Sequence, residues 1–241
     1  MPLCLLVRHG HSTANGDGIL AGRLPGIHLD ATGRKQVGVL AARFAVLDLA
    51  RVVSSPLERC LETADVVAAA SRSGVSVTVD EGLRECAYGA WTGRLIRELV
   101  DDPLWRTVQD QPSAARFPDH DEHDAESLLA MGHRAVGTIR RHDAEVAAEH
   151  GPHAVWVAVT HGDIIKAVLA DAVGSHVDHF QRFRADPASV SVVQYTERRP
   201  FLVAANDTGS DLARLVPPPE PDIPEGDAPV GGGSADGHPR R

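Results

Sequence analysis

Cysteine and aromatic residues are scarce in this 241-residue sequence, and long apolar runs are absent. Its three cysteines are odd in number, widely spaced and without a CxxC pair, which argues against a disulfide framework or a zinc site. No apolar stretch approaches the roughly 20 residues that span a bilayer. The amino terminus lacks the basic segment, apolar stretch and cleavage site of a signal peptide. These absences predict a cytoplasmic protein with reduced thiols and no membrane partner.

Positive charge is also in short supply. Lysine and arginine total 24 against 33 aspartate and glutamate, a net charge of −9. A nucleic-acid or anionic-membrane binder needs a basic face, so no nucleic-acid partner is expected. The balance still permits a small basic pocket inside an acidic protein. A hydrophobic content of 43% and this length are enough for a buried core.

The C-terminal segment differs in composition from the rest of the chain. From Pro217 it reads "PPPEPDIPEGDAPVGGGSADGHPRR", with almost no large apolar side chain. Such a segment cannot bury enough surface to offset its ordering entropy. We therefore expect one domain over residues 1–212 and a disordered tail over residues 213–241.

Upstream of the tail, short apolar runs alternate with segments of helical period. The continuous runs 3–7 and 154–159 are typical of buried strands. A helix is predicted after "SSP", with Ser55 as N-cap, Pro56 at the first helical position and Glu58 completing a capping box. The alternation predicts an α/β three-layer sandwich with a mostly parallel central sheet and helices on both faces. Further strands are predicted over 52–53, 75–79, 189–195 and 201–205, the last two as a hairpin or edge pair, and further helices over 94–100 and 126–149.

Both buried strands end in a histidine followed by glycine. Arg8-His9-Gly10 follows the first run, and Thr160-His161-Gly162 follows the second. Ligands bind α/β sheets at the carboxyl ends of parallel strands, and glycine lets a ligand approach the backbone closely. The repeated pattern indicates a functional site rather than two unrelated surface histidines.

Two more residues fit such a site. Arg59 lies in the first turn of the predicted helix, where free N–H groups and the helix dipole favour an anion. A cation there opposes the dipole, and an anionic ligand would relieve the conflict. Glu85 lies in "GLRECAYGAWTG", whose aromatic residues could cover and desolvate it. Desolvation raises the pKa of a carboxyl group, as a general acid requires near neutrality.

Four segments together resemble the histidine phosphatase superfamily, the branch that includes the phosphoglycerate mutases. They are "VRHGHSTAN", "SSPLERCLETA", "LRECAYGAWTG" and "VTHGD", and the resemblance spans about residues 1–205. It implies that His9 is the nucleophile that accepts a phosphoryl group and that Glu85 donates a proton to the leaving oxygen. The remaining members of the implied phosphate site are Arg8, Ser12, Asn15, Arg59, His161 and Gly162.

The resemblance implies a phosphatase that hydrolyses small phosphate monoesters through a phosphohistidine on His9. Neutral imidazole is a good nucleophile near pH 7, and a backbone carbonyl that accepts the other ring proton would fix its tautomer. The arginines carry the positive charge, so neither a metal nor a cofactor is expected. A phosphomutase using the same phosphohistidine and a non-catalytic phosphate-binding protein are the alternatives, and a homodimer is left open.

The match departs from the phosphoglycerate mutases where those enzymes bind the rest of their substrate. Cys86 stands where they carry an arginine after the proton donor, and Ile96 falls near their lysine. No Arg-Arg pair occurs in the 105–118 region, so phosphoglycerate mutase activity is not expected. Arg94, Arg97, Arg106 and Arg116 are the other nearby cations. The segment 119–125, rich in histidine and aspartate, is interpreted as a polar insertion near the substrate entrance, with a divalent-metal site as the alternative.

Three other motifs are weaker. Residues 10–14 fall one residue short of the G-x-S-x-G elbow of serine hydrolases, and that reading leaves Arg8 and Arg59 without a role. Residues 16–21 match a loose dinucleotide fingerprint, but the glycines do not directly follow a strand and no helix begins there. No P-loop occurs, which excludes a P-loop NTPase.

Overall fold

The computed structural model describes residues 1–209 and residue 212, and the predicted tail lies outside them. A six-stranded sheet has the strand order β3-β2-β4-β1-β5-β6. The first four strands in this order, β3, β2, β4 and β1, pair in parallel. Strand β5 pairs antiparallel with β1, and β6 pairs antiparallel with β5. The predicted mostly parallel sheet and the late hairpin are confirmed. The strands are β1 (Leu3–Arg8), β2 (Arg51–Ser54), β3 (Val77–Val79), β4 (Val155–Thr160), β5 (Val190–Tyr195) and β6 (Pro200–Asp207).

Helices cover both faces of the sheet, as predicted. Neighbouring residues of β1 point to opposite faces, so Leu6 joins the core under α6 and α7 while Leu5 joins the core under α2 and α3. Trp156 is the largest fully buried side chain of the first core, and Phe44 is the largest of the second. The helices are α1 (Thr13–Asp17), α2 (Ala31–Phe44), α3 (Glu58–Ala70), α4 (Ile96–Leu99), α5 (Pro103–Asp110), α6 (Leu128–His150) and α7 (Gly162–Ala172).

The predicted capping box of α3 is wrong. The helix begins at Glu58, its N-cap is Leu57, and no side chain caps it. The backbone N–H of Ser55 instead donates to the carbonyl oxygen of Val159, at 3.0 Å, beyond the end of the β2–β4 ladder. Pairing with the neighbouring strand therefore holds Ser55 outside the helix and turns its hydroxyl group to another partner, described below.

The sheet register brings the two histidine motifs together. β1 and β4 are adjacent and parallel, with Arg8 opposite Thr160. The N–H of His9 donates to the carbonyl oxygen of Thr160 at 3.0 Å, and α7 begins directly after His161. Both strand ends therefore open at the same edge of the sheet.

In the described part of the chain, no helix has the length and apolar character needed to cross a bilayer.

Candidate active site

The His9 ring is buried and held in one orientation. Its Nδ1 lies 2.7 Å from the carbonyl oxygen of Gly10, which can only accept, so Nδ1 carries the proton and Nε2 keeps its lone pair. Burial and the charges of Arg59 and Arg8 hold the pKa of His9 well below its ordinary value. A Cβ atom at Gly10 would lie 2.7 Å from Val37 Cγ2, so glycine lets this loop lie against α2. His9 is thus a neutral imidazole whose Nε2 lone pair accepts a hydrogen bond from Arg59 Nε at 3.3 Å.

Two arginines place positive charge near the His9 ring. Arg59, on α3, places Nε 3.3 Å from His9 Nε2 and donates from Nη2 to the carbonyl oxygen of Gly22 at 2.8 Å. Arg8 donates from Nη1 to the carbonyl oxygen of Ala185 at 2.6 Å. Among the described residues, nothing accepts a hydrogen bond from the buried Arg59 Nη1 or Arg8 Nε. Unsatisfied buried donors are costly, and an anion is the ligand that would satisfy them.

His161 contacts Arg59 but does not itself line the cavity described below. Its ring is fully buried, 5.3 Å from the His9 ring between centroids. Arg59 Nη2 lies 3.2 Å from its Nδ1, and Ser55 Oγ lies 2.8 Å from its Nε2. Because a guanidinium can only donate, Nδ1 accepts and Nε2–H donates to Ser55. Burial and Arg59 lower the pKa of His161, so it too is neutral.

Ser12 and Asn15 form the next part of the wall. The Ser12 N–H and hydroxyl donate to Asn15 Oδ1 at 3.1 and 3.0 Å, a capping box at the start of α1. The amide oxygen of Asn15 is therefore occupied, and its NH2 group is the part that can donate to a ligand. Because the Ser12 hydroxyl is bound to Asn15, the arrangement does not support a serine nucleophile.

The side chains meet at a cavity of about 310 Å³. Glu85 is half-buried in its wall, and the Cys86 N–H donates to Glu85 Oε1 at 3.0 Å. Desolvation, together with the nearby Asp163 carboxylate, raises the pKa of Glu85 to about 7. A carboxyl group of that pKa can hold a proton near neutrality. Of the predicted site residues all but His161 line the cavity: Arg8, His9, Ser12, Asn15, Arg59, Glu85 and Gly162.

Sequence reasoning missed the side of the cavity that faces α7. Asp163 accepts from the Tyr88 hydroxyl at 2.9 Å and pairs with Lys166 at 3.2 Å. Lys166 also donates to Gln181 Oε1 at 3.1 Å. Asp163 and Lys166 lie three residues apart, directly after His161-Gly162, and that spacing on one helical face was the available signal. Trp105 and Gln109 of α5 also line the cavity, four residues apart.

Several other candidates lie elsewhere. Segment 119–125, the insertion expected near the substrate entrance, is largely exposed. None of its residues lines the cavity. Across residues 1–209 and 212, no group of three or more His, Cys, Asp or Glu side chains is arranged for a metal ion. Ile19, Leu20 and Ala21 of the loose dinucleotide fingerprint are part of the cavity wall. Arg94, Arg97, Arg106 and Arg116 are not among the lining residues.

Comparison with known proteins bears directly on this geometry. A profile of the histidine phosphatase superfamily (branch 1) matches residues 4–208. The chain belongs to this superfamily. It is 30% identical over 206 residues to phosphoserine phosphatase 1 of Hydrogenobacter thermophilus, covering 85% of this chain and 92% of that protein. It is 27% identical to the probable phosphoglycerate mutase GpmB of Yersinia enterocolitica, covering 88% and 94%.

Solved structures show the same architecture. A mycobacterial glucosyl-3-phosphoglycerate phosphatase complexed with VO3 superposes with a TM-score of 0.72 at 25% identity, covering 85% of this chain and 98% of that one. The family, the fold class and the prediction of an enzyme of the histidine phosphatase family, a phosphomonoesterase, are confirmed. The roles of individual site residues stay predictions.

Proposed function

We propose that this chain hydrolyses phosphate monoesters through a phosphohistidine at His9 Nε2, with Glu85 as the proton donor. The observation that carries the proposal is the His9 ring itself. Its Nδ1–H is held by the Gly10 carbonyl group, and its Nε2 lies 3.3 Å from an arginine that retains a buried, unused donor. Glu85 lines the same cavity in a protonatable state.

In the first step, the Nε2 lone pair forms a bond to phosphorus while the bond from phosphorus to the alcohol oxygen breaks. Glu85 gives its proton to that oxygen, so a neutral alcohol leaves. The transferring group spreads negative charge over three oxygens, which the Arg8 and Arg59 guanidinium groups can bind in forked pairs. The His9 ring becomes cationic, and its Nδ1–H bond to Gly10 strengthens accordingly.

In the second step, the Glu85 carboxylate takes a proton from a water molecule whose oxygen attacks phosphorus. The bond from phosphorus to Nε2 breaks, inorganic phosphate leaves, and both residues regain their starting protonation states. The lowered pKa of His9 keeps its lone pair available for the next cycle.

The relatives support a phosphatase, since two of the proteins described above are named phosphatases for phosphoserine and glucosyl-3-phosphoglycerate. A phosphoglycerate mutase fits less well. Cys86 is buried and uncharged, with its thiol pKa raised well above the ordinary value, and Ile96 lines the cavity where those mutases carry a lysine. A phosphomutase acting on another ester would differ only in the attacking group, an alcohol in place of water.

The test follows phosphate release from 4-nitrophenyl phosphate by the intact protein, with His9→Ala beside it. The reaction is quenched at alkaline pH, and mass spectrometry locates any covalent phosphate. We expect turnover, phosphate on His9, and loss of both in His9→Ala. The matched control is His11→Ala, because His11 pairs with Asp30 at 2.7 Å and does not line the cavity. It should retain most of the turnover.

Undiminished turnover in His9→Ala, or phosphate on another residue, would overturn the mechanism. Phosphorylated His9 without phosphate release would support the phosphomutase alternative in place of hydrolysis. A folded protein that shows neither signal with this substrate would favour the non-catalytic alternative.

A further inference from the structure

The cavity has a second cluster of polar side chains besides the two arginines, which we name the α7 pole. It consists of the side chains of Tyr88, Asp163, Lys166 and Gln181, all of which line the cavity. Asp163 is bonded to Tyr88 at 2.9 Å and to Lys166 at 3.2 Å, and Lys166 is bonded to Gln181 at 3.1 Å. Asp163 lies close enough to Glu85 for its charge to raise the pKa of that proton donor, and both line the same cavity. The alcohol portion of a bound ester, which receives the proton from Glu85, would therefore face the α7 pole while its phosphate lies beside His9.

Charge at the α7 pole is balanced. Among the described residues that line the cavity, the cations are Arg8, Arg59 and Lys166. The two arginines carry their charge near His9, where the phosphate would bind, and Lys166 is already paired with Asp163. Both members of that pair are about four-fifths buried, so the pair is poorly screened by solvent. A carboxylate or second phosphate on the substrate would compete with Asp163 for Lys166 and would be repelled by Asp163.

Hydrogen-bonding capacity at the α7 pole is mixed. Lys166 can only donate, ionised Asp163 can only accept, and the Gln181 amide does both. A hydroxyl group also donates and accepts, so an alcohol with several hydroxyls can use all three. Trp91 and Trp105 supply an apolar wall nearby. The cavity volume, about 310 Å³, lies at the lower end of the range for small-molecule sites and leaves room beyond a phosphate group.

We propose that the α7 pole selects phosphate monoesters whose alcohol portion is uncharged and bears several hydroxyls, as in polyol or sugar phosphates. This proposal rests on the proposed phosphatase function. Lys166 and Asp163 act as specificity residues: together they bind hydroxyls, and Asp163 keeps Lys166 from attracting a substrate anion.

A matched pair of substrates isolates this property. Glycerol 3-phosphate carries a hydroxymethyl group where 3-phosphoglycerate carries a carboxylate, and the two are otherwise alike. We expect the wild-type kcat/KM for glycerol 3-phosphate to exceed that for 3-phosphoglycerate by about tenfold or more, because the carboxylate meets no free cation. Phosphoserine, with both an ammonium and a carboxylate, is measured alongside them.

Asp163→Asn tests the cause of the preference. The change keeps the side-chain size but leaves Lys166 unpaired, so the preference should shift toward 3-phosphoglycerate by about tenfold. Both substrates undergo the same reaction, so a change in Glu85 acidity affects them alike and cancels in the ratio. Adding Lys166→Gln removes the exposed cation and should return the ratio toward the wild-type value.

Lys166→Gln alone keeps the test decisive if Asp163→Asn does not fold. It leaves Asp163 as an unpaired anion, which should reduce 3-phosphoglycerate turnover further relative to glycerol 3-phosphate. A wild-type preference for 3-phosphoglycerate or phosphoserine, or a ratio unmoved in the variants, would overturn the proposal. Turnover of 4-nitrophenyl phosphate is measured in the same preparation as a control. If that turnover depends on His9 while the selectivity prediction fails, the proposed phosphatase function is retained and only the specificity proposal is rejected.

Discussion

Ser55 Oγ lies 2.8 Å from His161 Nε2 and joins the end of β2 to the end of β4. The other ring nitrogen of His161 accepts from Arg59 at 3.2 Å. Both ring nitrogens of His161 are therefore hydrogen-bonded. Ser55 helps to orient His161, which in turn contacts Arg59, the arginine beside the His9 ring. The serine whose sequence position suggested a helix cap is instead a positioning residue of the candidate active site.

Ser55→Ala should lower kcat/KM for an aryl phosphate by about tenfold, because one hydrogen bond to His161 is lost and the His161 ring is freed to rotate. Ser54→Ala is the control: Ser54 is equally buried, but its hydroxyl donates to the Ser55 carbonyl oxygen and does not contact His161. Ser55→Thr keeps a hydroxyl group and should recover part of the activity. Equal effects of Ser54→Ala and Ser55→Ala would refute a specific role for the contact with His161.

Arg59→Ala should reduce turnover by about 10²–10³-fold while the fold is retained, because it removes a preorganised donor from the charge that develops in the transition state. Arg59→Lys should recover only part of the loss, since an ammonium group cannot form the forked contact. The control is Arg72→Ala, an exposed arginine just beyond the far end of the same helix. Steady-state kinetics and circular dichroism check both results, and normal turnover in Arg59→Ala would place the phosphate elsewhere.

Glu85→Gln should slow hydrolysis of an alkyl phosphate by about 10²–10⁴-fold, and that of 4-nitrophenyl phosphate far less, because nitrophenolate leaves without a proton. In the wild type, the raised pKa of Glu85, about 7, means that the protonated fraction falls as pH rises through neutrality. The kcat/KM for the alkyl ester should therefore decline above about pH 7. Equal losses for the two leaving groups would show that Glu85 is not the acid.

Asp143 offers a prediction about stability rather than catalysis. Asp143 is a buried residue of α6; its carboxyl group accepts from Trp156 Nε1 at 2.9 Å and has its pKa raised by desolvation to about 6. The folded state therefore binds this proton more tightly than the unfolded state, and ionisation at neutral pH costs stability. Asp143→Asn keeps the acceptor for Trp156 and should stabilise the fold by up to about 3 kcal/mol above pH 6.

The gain should vanish below about pH 4, where the carboxyl group is protonated in both the folded and unfolded states. Thermal unfolding of the wild type and the variant across this pH range measures the gain in stability. Each kcal/mol should raise the melting temperature by roughly 2–4 °C. Asp65→Asn, at an exposed position on α3, should change the melting temperature little at any pH. A gain for Asp143→Asn that does not depend on pH would point to a cause other than the carboxyl charge.

Local sequence determined the strands and where they end. The apolar runs that form β1 and β4 are continuous because both faces of those strands are buried, and this pattern is visible in the chain itself. The histidine and glycine that follow each run therefore mark the carboxyl edge of the sheet before any contact is known. The order of the four motif segments was likewise sufficient to predict the superfamily, which its profile confirms over residues 4–208.

Tertiary structure alone decided which groups touch. Ser55 has a good capping sequence, yet pairing with β4 competes for its backbone and His161 for its hydroxyl group. The pKa of Glu85 depends on burial and on Asp163, which lies 78 positions further along the chain (163 − 85). Desolvation and Coulomb interactions act through space, so no local pattern encodes them, and the α7 pole became visible only when strand register and helix packing closed the cavity.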